Sequence, residues 1–454
     1  MEEFNLRDSI QSSIFAFGDY ISDTQTINNI SLLKSGIQQM LTLNIDNEKD
    51  AIKVAYYMVL AEAHRNCITI SPKGFVNFEN DDVIMHIQYL RMALHYSSQH
   101  KDLENIQLIN LGNALNNVKR HSEAIRCWKR VLINRHYSSE SIISTVLSNL
   151  GTCEYDIVPF LSAKELMLDC FKIARCHLSE ALGCSSTQKD QKAKVRYFLQ
   201  QIQNEEIYVF NHRNRVLEQI CERNDNSKEF ITWCLSNTLF LNPFNDVTDT
   251  DRAAYDTISK SFESLEIDPY IVSCFQELTT QFTYSRQILY ETYEQKDDNK
   301  NKDSYRIAYS IFDKLAGLID IYFDLGLNRA ILSYNKIWFT KNGKKNIVNE
   351  KLLSTDNPYL IALYWISRDL FLEGQPSSDP EAMDIAKCRN YIEHRFVNIV
   401  EQDVFSEQHN NSQLQIGRNV LYQKNLKLHV LVRSALIYFY CAVFEECYKN
   451  KYAK

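Results

Sequence analysis

The sequence predicts an all-α fold in two parts, a helical repeat region followed by an antiparallel helical bundle. Two observations carry this. In 454 residues there are only 11 glycines and 7 prolines, far below ordinary usage, so turn-rich and sheet-rich architectures are disfavoured. Apolar residues also recur at helical spacing through most of the chain. The length supports two or three domains with real cores. The expected division is a repeat region over residues 1–237, a linker over 238–252 and a bundle over 253–454.

The first clear helix is residues 49–65, with Ile52, Ala55, Tyr56, Val59, Leu60 and Ala63 on one face. Residues 80–98 repeat the pattern through Val83, Ile87, Leu90, Met92 and Leu94. Residues 105–136 then form a helix pair with a specific packing logic. Gly112 and Ala124 are small where the two helices cross, and Leu111 and Trp128 fill the groove between them. With Leu115 in place, this segment resembles a tetratricopeptide repeat, although His136 stands where that family carries a terminal proline. A second Leu-Gly pair, Leu150-Gly151, follows at an interval longer than the family period of about 34 residues. The resemblance implies a short solenoid whose groove takes a protein or peptide ligand. Lys119, Arg120, Arg126, Lys129, Arg130 and Arg135 crowd the pair and read as a solvated helix face in preference to a surface for RNA or another anionic ligand.

Residues 159–222 continue as long helices broken near Gly183. Asn242-Pro243 and Asn245-Asp246 give 238–252 the composition of a loop. Beyond it, helices are expected at 270–295 and 304–325, separated by the charged stretch 295–303. Residues 326–356, with the lysines 341, 344 and 345, read as an insertion loop. Helices resume at 357–373, at 379–400 behind the Asp379-Pro380 start, and at 423–450. Trp338, Tyr364 and Trp365 read as core.

Charge and composition exclude several functions. With 50 basic and 57 acidic residues the net charge is −7, so any RNA contact must use a local patch. The 12 cysteines contain no CxxC pair, so no metal or other cofactor is expected; Cys170, Cys176 and His177 come nearest to a ligand set and read as buried thiols with a neighbouring histidine. The acidic start MEEFNLRDSI has no apolar leader core, and Val430–Phe444 is too short and interrupted to span a bilayer. A cytoplasmic protein with no membrane partner is expected. No P-loop, GxGxxG, HExxH or GxSxG motif occurs.

The residues that can carry chemistry lie in AKCRNYIEHRFV, residues 386–397. Arg389, Asn390 and His394 form Arg-x4-His with a polar residue directly after the arginine. Set behind the helices at 270–325 and NPYLIALYWISRDLF, and before the apolar LVRSALIYFYCAVFEE, this region resembles the HEPN family, in particular a bacterial subfamily with TPR-like repeats in front. The resemblance implies metal-independent cleavage of RNA by its own 2′-OH, in a toxin or anti-phage defence effector. His394 would act as general acid and base near neutral pH, Arg389 would stabilise the phosphate, and Asn390 would orient the imidazole or hold a phosphate oxygen. Arg368, Arg395, Lys344 and Lys345 are further candidates for RNA contact.

On a helix running to residue 400, Arg389 shares a stripe with Ala382, Ile385, Ile392, Phe396, Ile399 and Val400, while His394 lies about 140° away. Asn390 and His394 share a face at i, i+4. The resemblance implies that such a divided motif is completed by a homodimer, two motif helices facing each other. The alternatives are a non-catalytic scaffold of the same two parts, and an antitoxin-like partner of a nucleotidyltransferase.

Overall fold

A computed structural model of the chain describes residues 4–7, 9–23, 28–71, 78, 80–212, 227–327, 332–342, 345–409 and 411–452. Among these, helices dominate and two small sheets occur, in keeping with the all-α expectation. Contacts group the chain into two units. One is Met1–Val146 with Leu372–Ala382; the other is Leu147–Phe371 with Met383–Lys454.

The first unit contains α1 (Ile10–Ser22), α2 (Ile30–Met40), α3 (Asp50–Ile70), α4 (Asp81–Tyr96), α5 (Lys101–Asn117) and α6 (His121–Ile133). Ser9, Asn29 and Asn80 cap α1, α2 and α4 by accepting from backbone N–H groups of the first turn, which satisfies donors that have no partner inside the helix. Consecutive helices pack on one another, α3 on α4, α4 on α5 and α5 on α6. The α5–α6 pair follows the expected logic. Leu111, Leu115, Ala124 and Trp128 are buried, and a Cβ added to Gly112 would stand 2.5 Å from Trp128 Nε1.

The turn between α5 and α6 closes α5 with Lys119 in the left-handed region at φ 67°. Arg120 N donates to Leu115 O and Lys119 N to Asn116 O, the paired bonds that end many helices, here without glycine. Of the basic cluster, Arg120 is buried against Glu123 and Arg130 pairs with the fully buried Glu104. Arg120 thus leaves the solvated face, while Arg130 stays on it, exposed.

The second unit starts within α7 (Glu140–Ile157) and continues with α8 (Lys164–Gly183), α9 (Lys189–His212), α10 (Lys228–Ser236), α11 (Phe244–Val247) and α12 (Ile258–Glu263). Gly151 repeats the device of Gly112, since a Cβ there would lie 2.5 Å from Leu178 Cγ on α8. Cys170 is a buried thiol donating to Glu154 O, Cys176 is exposed, contrary to the sequence reading, and His177 pairs with the Glu154 carboxylate at 2.8 Å. Then come α13 (Pro269–Gln295), α14 (Asp298–Phe323), the hairpin β1 (Phe339–Asn342) and β2 (Lys345–Val348), α15 (Glu350–Leu353), α16 (Pro358–Ser367) and α17 (Ala382–His394). The last segment holds β3 (Phe396–Val400), β4 (Phe405–Gln408), β5 (Gln413–Gly417) and α18 (Arg418–Tyr452).

Helix α18 is the axis of this unit and packs against α12, α13, α14 and α16. It is long and apolar enough to cross a membrane, yet 83% of its most apolar stretch is buried inside the protein. That is the pattern of a helix surrounded by others. Trp338, Tyr364 and Trp365 are buried as expected.

Four segments differ from the sequence expectation. The stretch 295–303 is mostly helix, because Asp297 accepts from Asn299 N and Lys300 N and so starts α14 early. Residues 326–356 are more than a loop. Ile337 and Trp338 are core residues, and β1 and β2 pair antiparallel. Residues 238–252, read as a linker, are largely buried from Leu239 to Val247. Finally, the helix expected over 379–400 begins at Ala382 and stops at His394. Phe-Val-Asn-Ile-Val, rich in β-branched residues, continues instead as β3.

Candidate functional site

Helix α17 is held by α14 at both ends of its exposed run. The buried Tyr305 hydroxyl donates to Ile385 O at 2.9 Å. Arg306 donates to Ile392 O and stands 3.9 Å from the Glu393 carboxylate. A cation on one of the last carbonyls is favourable at a helix C-terminus. Chain direction then changes at Arg395, and β3 pairs parallel with β5, which pairs antiparallel with β4, in the order β3-β5-β4.

A polar chain ties this sheet to the helix. Lys387 Nζ donates to Glu407 at 3.0 Å, and the Tyr391 hydroxyl lies 2.8 Å from the same carboxylate and 3.0 Å from Asn411 O. Arg395 Nη1 donates to Asn411 O at 2.7 Å, and its guanidinium stands 5.1 Å from the Tyr391 ring centroid. The hydrogen bond from Lys387, followed by that from Tyr391, holds the Glu407 carboxyl below its usual range. The anion therefore persists and keeps the chain oriented.

At the junction of helix and sheet is an open cavity of about 450 Å³ lined by His394, Arg395, Phe396, Asn411 and Ser412. His394 is exposed in the last turn of α17, and Asn390 is exposed one turn earlier. Such a cavity joins an imidazole, which can move protons near neutral pH, to a guanidinium that can take an anionic oxygen.

Arg389 is placed differently. It is half-buried, its guanidinium 5.5 Å from the ring centroid of Tyr309 on α14, and Nη1 donates to Asn390 Oδ1 at 3.2 Å. Burial pushes the Tyr309 phenol up to about 12. Burial also raises the Asp313 carboxyl one turn further on, and Arg389 is among the charges that offset this. Arg389 thus sits in a small aromatic and acidic niche on α14. Among the described residues no hydrogen bond joins it to His394.

The other candidates separate further. Arg368 is 3% exposed, with its guanidinium 5.7 Å from the Phe339 ring centroid. It is an interior group, because the short helix α16 that it follows is buried on all sides, and it presents no surface to RNA. Lys344 and the side chain of Lys345 lie outside the described residues. Arg395, by contrast, belongs to the cavity.

Three cavity residues escaped the sequence reading: Phe396, Asn411 and Ser412. The signal was present in the β-branched run FVNIV, which reads as a strand, and further on in VFSE followed by the polar, turn-forming QHNNS, which reads as a strand ahead of a hairpin.

No curated protein matches the chain. A family model described as LA2681-like HEPN matches residues 297–446, from the cap of α14 to near the end of α18. Those are the elements that build and brace the cavity, and it is over residues 297–446, a third of the chain, that the protein is similar to LA2681-like HEPN domains.

Proposed function

We propose that this chain is a metal-independent endoribonuclease whose reaction takes place at the His394 cavity. The family match points to nuclease-type action in general terms. The observation that carries the finer reading is that His394 and Arg395 open into one cavity, with Arg395 held in place by Tyr391 and Asn411. In this reading the His394 imidazole accepts the proton of an RNA 2′-OH as O2′ attacks the adjacent phosphorus. The P–O5′ bond breaks, and the imidazolium returns the proton to O5′. The products are a 2′,3′-cyclic phosphate and a 5′-OH. Arg395 takes the charge growing on the phosphate oxygens. Asn390 shares the His394 face, and Arg389 positions Asn390 through the bond between them.

The N-terminal helix pairs, read as TPR-like, would take a protein or peptide ligand that restrains or targets the nuclease, as in a cytoplasmic toxin or anti-phage effector. A homodimer through the HEPN domain would bring a second motif helix to the site. The place of Arg389 over Tyr309, apart from the cavity, favours one other reading, a non-catalytic HEPN module acting as a scaffold or antitoxin-like binding protein.

The deciding experiment is cleavage of total RNA by the purified chain in EDTA, comparing wild type with His394→Ala and Arg389→Ala, with the product ends mapped. Loss of about 100-fold or more in His394→Ala, with cyclic phosphate ends from wild type, supports the nuclease. Cleavage that survives both substitutions sinks the assignment of the site.

A further inference from the structure

We propose that Phe396 is a stacking platform for an unpaired base next to the scissile phosphate, so that the site selects single-stranded RNA. The inference rests on the nuclease reading and names its substrate class. Phe396 is 74% exposed and lines the same cavity as His394 and Arg395. It is the first residue of β3, its N–H donates to Ser412 O at 3.4 Å, and it pairs in register with Gln413 of β5. The ring is therefore presented from a fixed backbone, as a binding platform requires.

Its surroundings suit a nucleotide. His394 ends α17 and Phe396 begins β3 two residues later, and both line the cavity, so the imidazole and the ring can address neighbouring parts of one strand. Arg395 between them supplies the positive charge that a phosphate demands. Asn411 and Ser412 also line the cavity and carry polar groups that a base edge can meet. A base inside a duplex is already stacked on both faces and has none to give the ring, whereas a base in a loop or tail does.

The test separates binding from cleavage. In the full chain carrying His394→Ala, affinity is measured by fluorescence anisotropy for a fluorescein-labelled single-stranded RNA of about twelve nucleotides and for the same strand in a duplex. Adding Phe396→Ala is expected to weaken single-strand binding by roughly 10-fold and leave duplex binding unchanged, while Phe396→Trp keeps affinity near that of the parent. Sedimentation velocity and thermal melts of each variant run alongside. Equal single-strand affinity with and without the ring overturns the inference, as does an equal loss on duplex, or a parent that binds no RNA. A loss that tracks dissociation of an oligomer also overturns it, and makes Phe396 part of a contact between copies along the β3 edge. These outcomes are read from binding alone. A chain that still cleaves RNA with His394 replaced removes the assignment of cleavage to this cavity without touching them.

Discussion

Replacing Arg433 by alanine tests how the HEPN-like region holds the segment ahead of it. Arg433 is in the buried middle of α18 and reaches three acceptors in 238–252: Phe240 O at 2.8 Å, Asn242 O at 2.8 Å and the Asp246 carboxylate at 2.7 Å. The side chains of Arg433 and Asp246 are 0% and 1% exposed. Removing one partner of such a buried pair costs about 3–5 kcal/mol, because the charge that remains loses its main compensation. The unit concerned has roughly 300 residues, and an unfolding entropy of about 2.1 cal/mol/K per residue makes each kcal/mol worth about 1.6 °C. Arg433→Ala should then lower the unit's Tm by about 5–8 °C in circular dichroism melts. The double variant Arg433→Met with Asp246→Leu should recover most of the loss, since no charge is left buried. A drop of less than about 2 °C in the single variant, or a double variant as unstable as the single ones added together, would refute the argument that this pair clamps the segment.

Two other perturbations probe the same kind of reasoning. Gly112→Ala would gain about 1 kcal/mol on an isolated helix, but the new methyl would stand 2.5 Å from the buried Trp128 ring. Denaturant titration should show a net loss of about 1–3 kcal/mol, and a gain would mean that the ring yields freely. His429, buried with its ring nitrogens 2.9 Å from Asn425 O and 3.1 Å from Ser285 Oγ, is pushed by burial down to about 4. Its folded value is below the unfolded one, so its stability contribution is complete above about pH 6.5 and declines as pH falls toward 4. Between pH 6.5 and 5 the loss should be about 2 kcal/mol, and urea midpoints of His429→Asn should lack that part of the slope; an unchanged slope would contradict the assignment.

Local chemistry was legible in the sequence and distant chemistry was not. Gly112, Ala124 and Trp128 fall within one helix pair, so their fit could be read from spacing alone. The apolar run of α18 likewise announces a surrounded helix. The burial of 238–252 depends on Arg286, which reaches Leu239 O across 47 residues, and on Arg433, which reaches Asp246 across 187. Nothing in an Asn-Pro and Asn-Asp loop signals an arginine so far along the chain. In the same way, the parallel pairing of β3 with β5 is set by a sheet that no single stretch contains. That pairing ends α17 and moves Phe396, Ile399 and Val400 off the helical stripe. At the site, the composition of Arg389-Asn390-x-x-x-His394 was evident, whereas the cavity that His394 opens into was not.

The early end of α17 changes what the motif can do. On a longer helix, the angle of about 140° between Arg389 and His394 would be the only obstacle to their meeting. Here His394 is the last helical residue, and the chain behind it leaves along a sheet. The imidazole therefore faces groups supplied by β3 and the β4–β5 turn, and Arg389 faces α14. Within one copy, the cation beside the imidazole is Arg395. If Arg389 is to act on a phosphate held at His394, its guanidinium must leave the Tyr309 ring and give up its place near Asp313, or a second copy must bring its own Arg389 to the cavity. Otherwise Arg389 works through Asn390, whose carbonyl it holds at 3.2 Å, and its loss should then disturb the orientation of the site more than the binding of its phosphate. The two cases differ in which kinetic constant moves, because a lost phosphate contact that is made equally in ground and transition states raises KM, whereas a misplaced proton-transfer group lowers kcat.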